Sequence, residues 1–407
     1  MEKVKMGVVG LGSRGYMLIC GVLTKLDDVE VVSVCDVYTD RCEKSADYIE
    51  KASGKRPEIY TDYNEMLEKS DMDAVFIATA WEYHVDVSIA AMKKGVAVAL
   101  EVGGAYAIER LWEMVRVQES TKTPFMLMEN CCFGREEMLV SAMARAGIFG
   151  DIVHGHGAYA HYLCEEIAGG DENRHYRLRN YLSRNCENYP PHELGPIAKI
   201  FDINRGNRMI SLVSVASRAA GMEDYIKENA ERFPELVGKK FMQGDIVNTI
   251  ITCADGSTIS LRLDTTLPRS YSREFTIRGT RGMYEQNTNT VYLAGQPESF
   301  DPVDFYSKNM NNAKAYEEKY LPAAWKAITE EQIKAGHGGM DHVEFCVFVD
   351  CLKNGKEMPI DVYDAAAWMA VSALSENSIA QGGMPQAIPD FTDGKWILRK
   401  GCDVFEN

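Results

Sequence analysis

VKMGVVGLGSRGYMLICGVL, residues 4–23, joins an apolar strand to an apolar helix through glycines in G-x-G-x-x-G spacing. Gly10 allows the tight turn, Gly12 allows close backbone approach to a pyrophosphate, and Gly15 allows the helix to pack against the strand. The next strand, VEVVSVCD, ends at Asp36, roughly 20 residues further on, where a carboxylate bonds a ribose 2′-hydroxyl and repels a 2′-phosphate. The pattern predicts a dinucleotide site that prefers NAD to NADP.

The same alternation continues after this segment. Helices are predicted at 39–53, 82–94 and 108–120, among the strands DAVFIAT, VAVAL and PFMLME. Strand–helix alternation at this spacing is typical of a doubly wound parallel sheet, which binds ligands at the carboxyl ends of its strands. We therefore expect residues 1–130 to form an NAD-binding Rossmann domain. A Rossmann-like scaffold without nucleotide is the alternative, and the combination of strand, glycines and Asp36 disfavours it.

In the rest of the chain, 131–407, the pattern of β-rich and helical segments predicts a substrate-binding α+β domain. We expect its mostly antiparallel open sheet to cover the nucleotide cleft. Its β-rich segments lie near residues 151–162, 210–219, 246–266, 273–279 and 290–294. Helical periodicity returns in MDHVEFCVFVDCLKNG and YDAAAWMAVSALSENSIAQGG, which both end on glycine. We expect these C-terminal helices and the tail IPDFTDGKWILRKG to pack back on the first domain.

Composition excludes several classes of partner. The formal net charge of −16 repels nucleic-acid phosphates and anionic lipid, and no apolar run is long enough to span a bilayer. The first strand begins at once, which leaves no room for a signal peptide. The 11 cysteines are an odd number scattered through core segments, so they do not form an extracellular disulfide framework. We expect a cytoplasmic protein that binds neither nucleic acid nor membrane.

The stretch DIVHGHGAYAHYLCEE, residues 151–166, concentrates three of the chain's 8 histidines. It could be a metal site, a set of catalytic bases or a strand whose histidines are simply exposed to solvent. On a strand, alternate side chains share a face, so His154 and His156 lie together while Tyr159 and His161 lie on the other side. The three histidines cannot converge on one ion without a bulge, and the intervening glycines only weakly suggest one. We therefore expect no metal.

Motifs along the whole chain carry a resemblance to a known family. Glu101, Val102 and Gly103 stand where ordinary dehydrogenases of the glucose-fructose oxidoreductase, inositol dehydrogenase and MocA (Gfo/Idh/MocA) superfamily have Glu-Lys-Pro, so the usual lysine is missing. Glu-Val is typical of one branch, the NAD-dependent glycosidases of family 109, typified by α-N-acetylgalactosaminidase. The chain resembles that branch almost end to end, through ATAWEYH, LEVGG, MENCCFGREEM, AYAH, HYR, YPPHELGP, LPRSYSR, GHGGMD and YDAAAWMA.

The sequence departs from the family pattern at four positions. Pro191 stands for Thr, Glu193 for Gly, Tyr162 for Asp, and Gly103 for Pro. Three of the four flank the implied sugar site, so they bear on the N-acetylgalactosamine preference more than on the chemistry.

The resemblance implies two sets of binding residues. The implied NAD contacts, beyond the glycines, are Ser13, Arg14, Asp36, Trp81 to His84, Glu101, Val102 and Asn130. The implied sugar contacts are Tyr159, Arg177, Tyr189, His192 and Tyr271.

Glycosidases normally use two carboxylates, and NAD-dependent families are exceptions. In the alternative chemistry, hydride leaves sugar C3 for NAD⁺, the ketone acidifies the C2 proton, the C1 group is eliminated, water adds and the hydride returns. Tyr159 is our candidate for the C2 base, with His161 tuning or assisting it and Arg177 or an imidazolium lowering its pKa. His192 is the candidate that handles the O3 proton in place of the missing lysine.

Three functions remain open from the sequence. The first is an NAD-dependent glycosidase acting on a small glycoside by transient C3 oxidation. The second is a sugar or glycoside 3-dehydrogenase that releases a 3-keto product and NADH. The third, a non-catalytic NAD-binding sensor or assembly protein, is disfavoured because the polar residues match a catalytic set. We also expect the chain to form a homo-oligomer.

Overall fold

A computed structural model of the protein, which describes residues 3–296, 302–334 and 336–404, contains two compact units. The first unit comprises the described residues within Met1–Gly134, Ala323–Ala366 and Val404–Asn407. The second comprises those within Arg135–Pro322 and Ala367–Asp403. Each unit has its own sheet.

Over the described residues, the strands are β1 (Val4–Val9), β2 (Val29–Cys35), β3 (Glu58–Tyr60), β4 (Ala74–Ile77), β5 (Ala97–Glu101), β6 (Phe125–Met128), β7 (Ile152–Ala160), β8 (Met209–Ala216), β9 (Ile246–Cys253), β10 (Thr258–Asp264), β11 (Thr276–Gly279), β12 (Gly282–Glu285), β13 (Thr290–Leu293) and β14 (Gln386–Ala387). The helices are α1 (Ser13–Gly21), α2 (Thr39–Ser53), α3 (Tyr63–Lys69), α4 (His84–Lys93), α5 (Ile108–Thr121), α6 (Arg135–Arg145), α7 (Cys164–Ala168), α8 (Arg177–Ser183), α9 (Pro191–Ile200), α10 (Gly221–Glu228), α11 (Pro302–Asn309), α12 (Glu317–Tyr320), α13 (Ala323–Ala327), α14 (Glu330–Lys334), α15 (Met340–Asn354) and α16 (Val362–Ala380).

The sheet of the first unit is parallel, in the order β3-β2-β1-β4-β5-β6. This is the Rossmann order, and it confirms the predicted doubly wound sheet. The apolar strands β4 and β5 are buried along their whole length, as expected for a parallel sheet covered on both faces. The short strand β3 and helix α3 were not predicted, because neither carries a long periodic pattern.

The sheet of the second unit has the order β13-β12-β11-β7-β10-β9-β8-β14 over the described residues. Its pairings are antiparallel except for β7 with β10, so the prediction of a mostly antiparallel sheet is confirmed. The predicted segment 246–266 is a hairpin of two strands, β9 and β10, joined by a turn containing Gly256. Strands β12 and β14 were not predicted from the sequence.

Helix α9 lies directly on strand β7 because the strand presents glycines to it. A Cβ at Gly155 would lie 2.5 Å from Ile197 Cγ2, and one at Gly157 would lie 2.4 Å from the Glu193 carbonyl oxygen. The pairing of β7 with β10 keeps a continuous register from His154 to Ala160, so these glycines form no bulge there. They allow close packing of helix on strand instead.

The C-terminal segments are divided between the units. Helix α15 ends at Gly355, which takes the left-handed conformation with φ 61°, as the sequence predicts. This helix belongs to the first unit, whereas the tail segment 388–401 belongs to the second. In the tail, the Trp396 carbonyl accepts a hydrogen bond from the Gly206 N–H at 2.7 Å. Among the described residues, no helix has the length and apolar character needed to cross a membrane.

We predict that Gly157→Ala destabilises the second unit. The added methyl group would meet the backbone of helix α9, which cannot move as a flexible side chain can. Overpacking of this kind costs about 1–3 kcal/mol, so thermal unfolding should occur at a lower temperature. Thr252→Ala on the exposed face of β9 is the control and should change stability by at most about 0.5 kcal/mol. Equal unfolding temperatures for Gly157→Ala and wild type would contradict this account of the packing.

Candidate active site

In the first unit, the three glycines of the G-x-G-x-x-G motif differ in the space available for a side chain. Gly10 has φ 95°, and a Cβ there would lie 2.4 Å from the Ala78 carbonyl oxygen. A Cβ at Gly15 would lie 2.0 Å from the Gly10 carbonyl oxygen. Around Gly12, by contrast, the only described atom within contact range of a Cβ is Arg41 Nη1, at 3.7 Å. The backbone at Gly12 is therefore open to a ligand, at the N-terminus of helix α1, which begins at Ser13 and has no side-chain cap.

Asp36 follows β2 and is 8% exposed. Its carboxylate accepts hydrogen bonds from the Leu11 N–H at 2.7 Å and the Tyr38 N–H at 3.0 Å. Arg41 Nη1 lies 3.7 Å from the same carboxylate. The backbone of the glycine turn thus holds Asp36 at the carboxyl end of the sheet, where a ribose diol binds in this fold.

The Arg14 guanidinium donates hydrogen bonds to two carboxylates. Its Nε donates to Glu101 at 2.6 Å, and its two terminal nitrogens donate to Asp341 at 2.9 Å each. Asn130 Nδ2 also donates to Asp341, at 2.7 Å. Asp341 thus joins Arg14 to Asn130, and Arg14 in turn joins Glu101, so three residues that the resemblance implies as NAD contacts share one network. Asp341 lies in the GHGGMD motif and was not among the residues expected to bind NAD.

Burial and neighbouring charges shift the pKa values of two carboxyls in this network, Asp341 and Glu344, in opposite directions. Burial raises the pKa of Asp341, but Arg14 and His337 outweigh it and hold that pKa well below its usual value. Glu344, one turn further along α15, is fully buried, and burial together with Asp341 and Glu101 raises its pKa well above the usual range. Glu101 and Asp341 both pair with Arg14.

The remaining implied NAD contacts line the ends of β4 and β5. His84 is buried, its Nε2 lies 3.0 Å from the Thr79 carbonyl oxygen, and burial lowers its pKa to about 4, so it is neutral. The Val102 N–H donates to the Glu101 carboxylate at 3.0 Å. A Cβ at Gly103 would lie 2.5 Å from Trp81 Cδ1, which explains why glycine follows Glu-Val in this chain.

In the second unit, the implied sugar residues form one cluster of rings. The Tyr159 ring lies 4.7 Å from that of Tyr189, 5.4 Å from that of His192 and 5.9 Å from that of His161. Tyr159 Oη is 3.4 Å from His161 Nδ1, and the His161 ring is 5.2 Å from that of Tyr271. Solvent exposure increases across the cluster, from Tyr159, which is 5% exposed, to Tyr271, which is 51% exposed.

Arg177 completes the cluster from the first turn of α8. Its guanidinium carbon lies 5.9 Å from the Tyr159 ring centre and 5.4 Å from that of Tyr189, and its Nε lies 2.7 Å from a Glu166 oxygen. Burial lowers the pKa of Arg177, but Tyr159, Tyr176 and Glu166 raise it well above its usual value. A positive charge therefore lies beside the proposed base, Tyr159.

The histidine-rich strand has the predicted parity. His154 and His156 share the face opposite Tyr159, and their Nδ1 atoms lie 2.9 Å and 2.8 Å from the hydroxyls of Thr258 and Ser260. His156 Nε2 also lies 3.1 Å from Glu274. His161 lies with Tyr159 on the other face. The prediction that the three histidines divide between two faces is confirmed.

Two buried carboxyls next to cluster residues in the sequence were not among the residues expected at the site. Glu187 precedes Tyr189 by two positions and Glu193 follows His192, and they are 0% and 2% exposed. The sequence signal for Glu193 was its departure from the family pattern, which the sequence analysis read as a matter of sugar preference.

Comparison with known protein families finds one match for each of the two parts of the chain. Residues 4–128 match the model of the oxidoreductase family with an NAD-binding Rossmann fold. Residues 133–398 match the model of the glycosyl hydrolase 109 C-terminal domain.

Similar sequences and structures agree with these matches. The chain is 36% identical to an alpha-N-acetylgalactosaminidase from Tannerella forsythia, covering 98% of this chain and 88% of the relative. It is 38% identical to a glycosyl hydrolase family 109 protein from Akkermansia muciniphila, covering 97% and 83%. A scyllo-inositol dehydrogenase from Lactobacillus casei, solved with NAD(H) and scyllo-inositol, has a TM-score of 0.66 at 16% identity, covering 95% of this chain and 99% of that one. That structural likeness supports the fold.

Fold, glycine turn and matched models define an NAD-binding enzyme of the Gfo/Idh/MocA oxidoreductase type. Within this class, the chain belongs to glycosyl hydrolase family 109, a family of NAD-dependent glycosidases. The resemblance stated from the motifs is thereby confirmed, as are the expected fold class and the cofactor NAD.

We predict that Asp36→Ala weakens NAD binding about tenfold and narrows the preference over NADP, because a hydrogen bond to a charged group contributes about 1.5–3 kcal/mol. Titration calorimetry with both nucleotides measures the change. Asp27→Ala, at an exposed carboxylate of the same unit, is the matched control and should leave both affinities unchanged. Equal affinity of the wild type for NAD and NADP would refute the assignment of Asp36.

Proposed function

We propose that this enzyme hydrolyses a small glycoside by transient oxidation at sugar C3, followed by C2 deprotonation, elimination at C1, addition of water and re-reduction. The observation that carries the proposal is the single cluster of Tyr159, His161, His192 and Arg177 in a family 109 chain that has Val102 where dehydrogenases have lysine. The cluster offers two separate proton acceptors, and this reaction needs one near O3 and one near C2.

Each part of the chain has its own task in this proposal. Residues 1–130 bind NAD through the glycine turn and Asp36, and residues 131–407 bind the sugar. NAD, when bound, accepts hydride from C3 and later returns it. His192 takes the O3 proton, and Tyr159 removes the C2 proton beside the positive charge of Arg177. His161 bonds the Tyr159 hydroxyl and assists it.

The sugar contacts are proposed as Tyr159, Arg177, Tyr189, His192 and Tyr271. The first four contact one another, and Tyr271 joins them through His161. Aromatic rings give apolar contact area with a polar tip, which suits a sugar ring bearing hydroxyls. The relative from Tannerella forsythia is named for alpha-N-acetylgalactosamine. We take a small glycoside as the substrate class for this chain and no metal ion as a participant.

A 3-dehydrogenase that releases the 3-keto product is the second candidate. It is favoured by the structural likeness to inositol dehydrogenases, which covers 95% of the chain. It differs from the glycosidase in two observable ways, since it accumulates NADH and does not require a base at C2.

We further propose a cytoplasmic homo-oligomer. No disulfide joins the 11 cysteines, all of which lie within the described residues, and thiols of this kind suit a reducing compartment. The face of the second sheet opposite Tyr159 exposes apolar side chains, with Val215 52% and Ile250 49% exposed.

We predict that Ile250→Glu lowers the mass measured by light scattering to that of a single chain, because a buried, unpaired carboxylate opposes association. Glu223→Gln on exposed α10 is the control and should leave the mass unchanged. A wild-type chain that is monomeric at all concentrations would contradict the homo-oligomer.

We predict that turnover of an aryl glycoside in heavy water puts deuterium at C2 of the released sugar, with no net NADH, in the presence of a chelator. Tyr159→Phe should lower both cleavage and deuterium incorporation by about 10²-fold or more, the loss typical of removing a general base, while C3 oxidation persists. His192→Ala should lower cleavage and oxidation together, because the hydride step itself is impaired.

Aryl alcohol release, NADH absorbance and mass spectrometry of the sugar distinguish the outcomes. Tyr292→Phe, a tyrosine of β13 outside the ring cluster, is the matched control. Normal cleavage by Tyr159→Phe, or a product without deuterium at C2, would favour the dehydrogenase. Loss of activity on chelation that zinc restores would revive a metal site.

A further inference from the structure

The loop that joins β10 to β11, residues 265–275, carries Tyr271, the most exposed ring of the proposed sugar cluster. We call it the Tyr271 loop. The Tyr271 ring lies 5.2 Å from that of His161, while Leu267 and Ser270 in the same loop are exposed to solvent. A loop of irregular structure loses conformational entropy when a ligand orders it, and this loss weakens binding. Bonds that order the loop before the sugar arrives therefore favour binding.

Both ends of the Tyr271 loop are bonded to other parts of the second unit. At its start, Thr266 Oγ1 donates a hydrogen bond to the Asp245 carboxylate at 2.6 Å. At its end, Ser272 exchanges two backbone hydrogen bonds with Ala160, the last residue of β7, at 3.0 and 3.2 Å. The stretch 267–271 therefore lies between two fixed points, with Tyr271 next to the second of them.

Arg269 bonds the middle of this stretch to the sheet. Its Nη1 donates to Asp264, the last residue of β10, and its Nη2 donates to Glu274, which precedes β11, at 3.0 Å. Its Nε donates to the Ser270 carbonyl at 3.1 Å. The Arg269 side chain is 19% exposed, although the residues on either side of it are exposed. One guanidinium thus joins the strand before the loop, the segment after it and the loop backbone.

The Glu274 carboxylate is itself fixed to the sheet. It accepts a hydrogen bond from Arg262 Nη2 on β10, and it lies 3.1 Å from His156 Nε2 on β7. The planar guanidinium of Arg269 can reach two carboxylates and a carbonyl at once, because its donors point in fixed, diverging directions. A lysine ammonium at position 269 would keep the charge but could not reproduce this set of bonds.

We propose that Arg269 fixes the stretch 267–271 and thereby holds Tyr271 in place for contact with the sugar. Arg269 is a positioning residue that acts through Tyr271, and the assignment rests on the proposed function, in which Tyr271 is a sugar contact. Without the bonds of Arg269, the sugar has to order the loop as it binds. The groups proposed for proton transfer, Tyr159 and His192, are outside the loop and keep their places.

The first experiment measures the loop without substrate. Arg269→Met removes all three donors, and Arg269→Lys keeps the charge but not the planar group. Hydrogen–deuterium exchange is followed in peptides that cover 267–271 and, as an internal reference, β10. Both variants should exchange about tenfold faster than wild type at 267–271 and at the wild-type rate in β10, because only local opening becomes easier.

Arg262→Met is the matched control. It removes another donor to Glu274 but leaves the three bonds of Arg269 in place, so exchange at 267–271 should match that of wild type. Equal exchange in wild type and Arg269→Met would overturn the proposal, and so would equally fast exchange in Arg262→Met.

Kinetics then test whether the loop acts on sugar binding through Tyr271. For a nitrophenyl glycoside, Arg269→Met should raise KM about tenfold and change kcat less than about threefold, because the ordering cost falls on ground state and transition state alike. In a Tyr271→Ala background, Arg269→Met should raise KM no further, since the ring that it positions is gone. An undiminished effect in that background would show that Arg269 does not act through Tyr271.

The two kinds of measurement separate this proposal from the proposed function. If exchange behaves as expected but NADH accumulates in place of glycoside cleavage, the proposed function fails, and KM for NADH formation gives the same comparison of variants. If cleavage occurs and exchange rises in Arg269→Met while KM stays at the wild-type value, the loop does not act on sugar binding and the inference is wrong.

Discussion

The contact of helix α9 with the glycine face of β7 is the constraint on which the sugar cluster depends. Any side chain at Gly155 or Gly157 would collide with the helix. Because the helix lies so close, His192 in its first turn reaches Tyr159 at the end of the strand, with their rings 5.4 Å apart. Glycines that looked like weak bulge signals are thus what place two candidate catalytic groups together.

Buried charge is paired in both units. In the first, Arg14 is shared by Glu101 and Asp341. In the second, Arg177 lies among tyrosine rings with its Nε 2.7 Å from a Glu166 oxygen, and Arg273 pairs with the buried Glu137. The Arg177 pair differs from the others in that it places a cation beside the rings of Tyr159 and Tyr189.

The proposed reaction accounts for the absence of the lysine that ordinary dehydrogenases of this superfamily carry after Glu101. A dehydrogenase acts on one hydroxyl and can manage with one acid–base group near the cofactor. Elimination needs a second base at the neighbouring carbon, and the ring cluster holds Tyr159 and His192 as two separate groups with ring centres 5.4 Å apart. Val102 takes the lysine position, 4% exposed, and Gly103 makes room for Trp81.

The sequence by itself determined the Rossmann sheet, NAD as cofactor, the family and the parity of the β7 histidines, because glycine spacing, strand–helix alternation and side-chain periodicity are local properties. Only the tertiary structure decided that Arg14 binds Asp341, which lies far along the chain, and that β7 pairs parallel to β10. These depend on which distant segments pack together and on how completely water is excluded, and neither is encoded in local spacing.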